Sequence, residues 1–232
     1  MNFFQFRITL CAFFLFSSFV VYAGEAPPTV RVDYYHSGNA EMEMFSLHQV
    51  VIEPLPWTGN PAKSLDTVRR GHFMYQVEDP ESREVLYSRG FSSIFQEWQS
   101  TGEARRMNRS FHESVRFPKP DKPVRLRILK RNETQGFDSI WTAEIDTDDM
   151  LVVRAHAPAS AAVLKLHVKG APTGKVDLVI LGDGYPAGEA EKFAADARRL
   201  TDALFTYSPF RERAGDFNVW GINPPAVESG VN

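Results

Sequence analysis

Short stretches in which apolar and polar residues alternate recur along residues 30–168 at intervals of roughly ten residues, the spacing expected of strands in an antiparallel sandwich. The clearest runs from Pro123 to Ile128. Val124, Leu126 and Ile128 fall on one side and Arg125 and Arg127 on the other, so one face is buried and one is wet. Ile140–Ile145 alternates likewise, and Val163–Val168 repeats the pattern with Lys165 and His167 outward. Upstream, Val30–Tyr35, Phe45–Ile52 and Phe73–Val77 are predicted strands. Val85–Ser88 and Phe91–Trp98 are predicted to pair as a hairpin across Arg89 and Gly90. Gly59–Asp66, Glu78–Ser82 and Asp146–Asp149 are turn or loop text.

The pattern changes after Gly174. Val176–Leu181 is apolar and β-branched with one charge, as in a strand covered on both faces. Gly182–Tyr185 makes a tight turn, and Pro186 stands where a helix can begin without needing its N–H. Glu189 and Glu191 place negative charge near the positive end of that helix. Phe193, Ala197, Leu200 and Leu204 then form one apolar stripe, with Lys192, Asp196, Arg199 and Asp202 elsewhere, and Pro209 ends the helix. Phe217–Ile222 supplies a second strand. Strand, helix and strand at this length predict a right-handed crossover between parallel neighbours.

Composition adds an address. With 43% hydrophobic and 24% charged residues the chain is an ordinary globular protein, and a net charge of −3 gives no electrostatic case for nucleic acid or an acidic membrane. Arg7 precedes an apolar run from Ile8 to Val21, and Val21-Tyr-Ala23 places small residues at both recognition positions for cleavage before Gly24. Residues 1–23 therefore read as a secretory signal peptide, and the mature chain as secreted or periplasmic. No later segment reaches the ~20 apolar residues of a membrane span. Cys11, the one cysteine, lies in this leader, so no disulfide is expected in the mature protein.

Candidate chemistry is sparse. His112-Glu113 is the one His-Glu pair, and it lacks the second histidine one helical turn on, so an ordinary strand histidine is expected there. His36, His48, His72, His156 and His167 show no ligand spacing, although three histidines could still meet in space. Gly182 and Gly184 between a strand and a helix invite a phosphate-binding reading. The displaced third glycine at Gly188 and the charges of Asp183 and Glu189 oppose it, and a packing role for the glycines is expected. Trp57, Phe91, Phe95, Trp98 and Trp141 are expected in the core, with an exposed row of them as the mark of a sugar-binding face. Arg105, Arg106 and Arg109 read as a solvated loop.

Several separated blocks resemble a known family. Asp177–Tyr185, Phe193–Phe205, Ser208–Arg211, Asp216–Val219 and Glu228–Val231 resemble the opening of the catalytic domain of the immunoglobulin A-type zinc metallopeptidases, metallopeptidase family sixty-four. Asp33–His36, Glu53–Trp57, Leu86–Phe91 and Asn108–His112 resemble that family's N-terminal domain. The resemblance implies zinc-assisted hydrolysis of protein or peptide substrates in the full-length enzyme, on an H-E-x-x-H helix. No H-E-x-x-H occurs in these 232 residues. The chain is thus expected to be the N-terminal portion of such a peptidase, inactive alone, with no catalytic or metal residue of its own and no zinc bound by the fragment. Asp183 and Tyr185 are candidates for shaping the edge of the cleft, and Pro186 stands where the family often has a threonine that could cap the helix against Glu189.

The expected organisation is a signal peptide (1–23), an antiparallel β-sandwich (24–155), a linker or final strand (156–174), and an incomplete strand-helix-strand start of a peptidase domain (175–232). The alternative from another class is a non-catalytic secreted sandwich module that binds a glycan or a protein.

Overall fold

In the computed structural model, residues 26–157 and 162–230 are described. The leader, its cleavage position after Ala23 and positions 158–161 of the proposed linker lie outside them. Among the described residues up to His167 are nine strands and a short α-helix: β1 (Pro28–Gly38), β2 (Glu43–Pro56), β3 (Phe73–Glu78), β4 (Val85–Phe91), α1 (Ile94–Gln99), β5 (Arg109–Pro118), β6 (Val124–Arg131), β7 (Phe137–Ile145), β8 (Val153–Arg154) and β9 (Val163–His167). β10 (Val176–Leu181), α2 (Ala190–Leu204) and β11 (Phe217–Ile222) follow.

Two four-stranded sheets, ordered β5-β1-β2-β8 and β4-β3-β6-β7, form the predicted sandwich. Alternation decides what lies between them. Val30, Val32 and Tyr34 of β1, Val115 and Phe117 of β5, Phe73, Tyr75 and Val77 of β3, and Val124, Leu126 and Ile128 of β6 make one buried cluster. Arg125 and Arg127 turn outward, as the period of two demands. At roughly 1.5–3 kcal/mol for each large apolar side chain removed from water, this cluster is the dominant favourable term of the domain. Tyr75 ties the sheets together by donating its hydroxyl to the carbonyl of Arg116, 2.6 Å away. β8 adds to β2 in parallel, the exception in an otherwise antiparallel arrangement.

The predicted hairpin across Gly90 does not form. β4 runs unbroken through Gly90 to Phe91 against β3, because Asp66 accepts the Gly90 N–H at 2.7 Å and the Arg70 carbonyl fills the place of a side chain there. Ile94–Gln99 becomes α1 instead. Ser93 caps it by accepting the Phe95 N–H at 3.1 Å, and Phe95 and Trp98 are buried with Ala104 in a small second cluster. The helical spacing of those two aromatics outweighs their β propensity.

The C-terminal sheet has the order β10-β11-β9. β10 and β11 are parallel, as a crossover through α2 requires, and β9 pairs antiparallel with β11. Leu164–Leu166 therefore belongs to this sheet. His167 is half-buried rather than outward, its ring 4.5 Å from that of Phe205 and its Nε2 2.9 Å from the Ala214 carbonyl.

Two expectations change here. β10 is not covered on both faces, since Val176, Val179 and Leu181 are 51%, 52% and 65% exposed. In α2, Leu200 is half-exposed, and Thr201 joins Phe193 and Ala197 on the buried face. Thr201 manages this by donating its hydroxyl to the Ala197 carbonyl at 2.8 Å, which satisfies it within the helix.

Candidate functional site

The turn after β10 carries the two residues singled out as cleft-edge candidates. Gly182 donates its N–H to the Ile222 carbonyl at 2.8 Å, which holds the turn against the end of β11. Gly184 has φ +73°, and a Cβ there would lie 2.3 Å from the Gly230 carbonyl oxygen. Only glycine fits both conditions. That approach lets Gly230 donate its N–H to the Gly184 carbonyl at 2.9 Å, while Ala226 donates to the Tyr185 carbonyl at 3.0 Å.

Within this frame Asp183 is exposed and Tyr185 half-buried. The Tyr185 hydroxyl donates to Asp196 of α2 at 3.1 Å, which raises the phenol above its ordinary range. Arg199 and then Tyr185 hold the Asp196 carboxyl below its own. Tyr185 thereby pins the turn to the helix, and Asp183 is left facing solvent at the carboxyl end of the parallel strands, where open α/β sheets bind ligands. Sequence reading missed Asn223 at the end of β11. Its Nδ2 donates to the Tyr185 carbonyl at 3.4 Å, and its buried Oδ1 finds no partner among the described residues.

The sandwich holds two histidine clusters, and the dipeptide His112-Glu113 feeds both because successive residues of β5 face opposite ways. Glu113 points inward. There His36, fully buried, sets Nε2 3.0 Å from Glu43 and Nδ1 3.4 Å from Glu113, with its ring stacked 4.0 Å from both Phe45 and Phe95. Burial alone would lower the His36 pKa, but its bonds to Glu113 and Glu43 outweigh burial and raise it, which favours the protonated ring between the two carboxylates. Burial likewise pushes the two carboxyls up, and the hydrogen bonds from His36, with those from Lys130 to Glu43 and from Ser93 and Tyr34 to Glu113, hold both below the usual range.

Ser93, His36 and Glu113 resemble a hydrolytic triad in composition only. The serine hydroxyl donates to Glu113 at 2.6 Å, caps α1 and is buried, so no substrate carbonyl reaches it.

His112 points outward beside His48, with 3.1 Å between His112 Nε2 and His48 Nδ1. Asp33 lies alongside, its ligand atom within 4.8 Å of theirs. A β-bulge brings His48 there. Asp33 pairs with Gln49 but Tyr34 pairs with Leu47, so His48 is the extra residue. No spacing in the sequence marks such a shift.

Among the described residues of the C-terminal unit, no donor set matches the zinc implied by the resemblance. α2 carries no histidine, and His167 of β9 is engaged with Ala214 and Phe205. Of the aromatics, Phe95 and Trp98 are buried, and Trp57, Phe91 and Trp141 pack against the main core, so they form no exposed row. Arg105, Arg106 and Arg109 are exposed, and Arg109 pairs with Glu103 at 2.9 Å.

Residues 23–142 match the family described as Peptidase M64 N-terminus, and residues 164–232 match IgA Peptidase M64. No curated protein matches the chain. The two matches stand in order and cover most of the sequence. The chain belongs to the peptidase M64 family, a metallopeptidase family.

Proposed function

We propose that this member of the M64 family is the N-terminal portion of an exported zinc metallopeptidase, consisting of the sandwich domain and the first crossover of the peptidase domain. The observation that carries the reading is the parallel β10-α2-β11 unit, which lies within the stretch matching IgA Peptidase M64. Peptide-bond hydrolysis belongs to the whole enzyme, in which bound zinc would polarise the scissile carbonyl and activate water. Residues 26–230 contribute scaffold. The parallel strands end at Asp183 and Asn223, and the Gly184–Gly230 clasp fixes that end beside the mouth of the cleft. The leader at 1–23 directs export and is removed after Ala23.

The test compares the chain with the longest product of its reading frame, each incubated with a casein-type substrate with and without added zinc. Zinc-dependent cleavage by the longer form and none by residues 24–232 is expected. Cleavage by residues 24–232 alone, or no zinc-dependent cleavage by any longer form, overturns the reading.

A further inference from the structure

We propose that Asp33, His48 and His112 form a divalent transition-metal site on the outer face of the sandwich, tying together the three neighbouring strands β1, β2 and β5. The geometry is that of ligands. Two donors on a tetrahedral zinc at about 2.05 Å stand about 3.3 Å apart, and the two imidazole nitrogens are 3.1 Å apart. A direct hydrogen bond between the rings needs one of these nitrogens protonated, whereas an ion needs both bare, so the two are mutually exclusive.

Asp33 supplies the anionic ligand. It is buried, unlike the two exposed imidazoles, and its position is fixed by Arg31 at 2.8 and 3.2 Å and by Gln49 at 2.7 Å. A carboxylate has about four lone-pair positions, and these three bonds leave one, on Oδ1. Arg31 and Gln49 thus orient the ligand in the way outer residues do at metal centres. Tyr35 supports both histidines, its ring centre 5.2 Å from each.

The exposed rings turn slightly toward Asp33 to close the remaining distance, and water completes the coordination. Imidazole donors select zinc, copper or nickel over calcium and magnesium. Glu144, Asp146 and Asp149 line the groove that His48 also borders, which favours approach of a cation.

The experiment titrates the untagged chain with zinc chloride by calorimetry, beside His48→Ala, His112→Ala and the control His156→Ala. One ion per chain is expected, with affinity falling by at least the ~10–100-fold that loss of an outer-shell partner already causes in each ligand variant, and unchanged in the control. Cobalt(II) gives an independent readout on the wild-type chain, broadening the ring resonances of His48 and His112 and not those of His156. Zinc affinity that is equal in all four proteins, no binding up to ~1 mM, cobalt broadening at other histidines, or tighter binding of magnesium than zinc overturns the site.

Discussion

His36 is the most informative residue to change, because it is a buried imidazole, its charged form favoured by two carboxylates, with an aromatic ring on each face. His36→Phe keeps a flat ring between Phe45 and Phe95 and removes the charge. Glu43 retains Lys130, whereas Glu113 retains only the hydroxyls of Ser93 and Tyr34. Breaking a buried ion pair by deleting one partner costs ~3–5 kcal/mol. Glu43 and Glu113 keep 15% and 11% exposure, so the low end applies, about 3 kcal/mol, or roughly 6–12 °C in Tm for a domain of this size.

Adding Glu113→Gln removes the stranded charge and leaves a group that still bonds the two hydroxyls. The double variant should recover about 1–3 kcal/mol relative to the sum of the singles. The pH dependence follows from the directions of the shifts. His36 titrates above its ordinary 6.5 in the folded chain, so its contribution is full below 6.5 and fades as pH rises through the higher folded value. Glu43 and Glu113 titrate below their ordinary 4.5, so theirs is full above 4.5 and fades as pH falls through the lower folded values. The cluster therefore stabilises most between 4.5 and 6.5. Urea melts at a series of pH values measure this. A loss below ~0.5 kcal/mol in His36→Phe, strict additivity in the double variant, or an unchanged alkaline limb would refute the charged-cluster account.

Gly184→Ala should destabilise the turn by roughly 1–3 kcal/mol, because it combines a positive φ with a clash on Gly230, and faster proteolysis of residues 182–230 measures it. Leu126→Ala at the fully buried centre of β6 should cost ~2–5 kcal/mol in chemical denaturation, the range of a core cavity. Arg127→Ala should cost ~3 kcal/mol by stranding Glu78, 3% exposed and 2.6 Å from the guanidinium, and thermal melts beside Arg109→Ala, whose pair with Glu103 is exposed, separate this from a surface effect. Hydrogen exchange should find residues 163–222 less protected than the sandwich, since among the described residues β10 pairs on one edge and its apolar residues Val176, Val179 and Leu181 are half-exposed or more; equal protection in the two would contradict this.

The sequence determined what local chemistry can carry. Alternation through Val124–Ile128 put the right residues inward, Asp79 and Asp146 made their turns by accepting the N–H groups two residues on, and the β-α-β text gave parallel strands. The separated family blocks were legible too, since motif text survives without knowledge of what it packs against.

Only the tertiary structure decided features that depend on partners far along the chain. Gly90 continues a strand because Asp66 and Arg70 wait beside it, and Phe95 and Trp98 turn helical because a pocket formed with Phe111 and Ala40 receives them. Leu200 gave way to Thr201 because a helix can satisfy a hydroxyl internally, which makes the apolar stripe narrower than hydropathy suggests. His36, Glu43, Ser93 and Glu113 converge from three strands and a helix cap, and His48 meets His112 through one extra residue in β2. A bulge shifts register without altering composition, so the outer histidine cluster belongs to the pairing of β1 with β2 and β5, where one slipped residue moves a side chain to the other face.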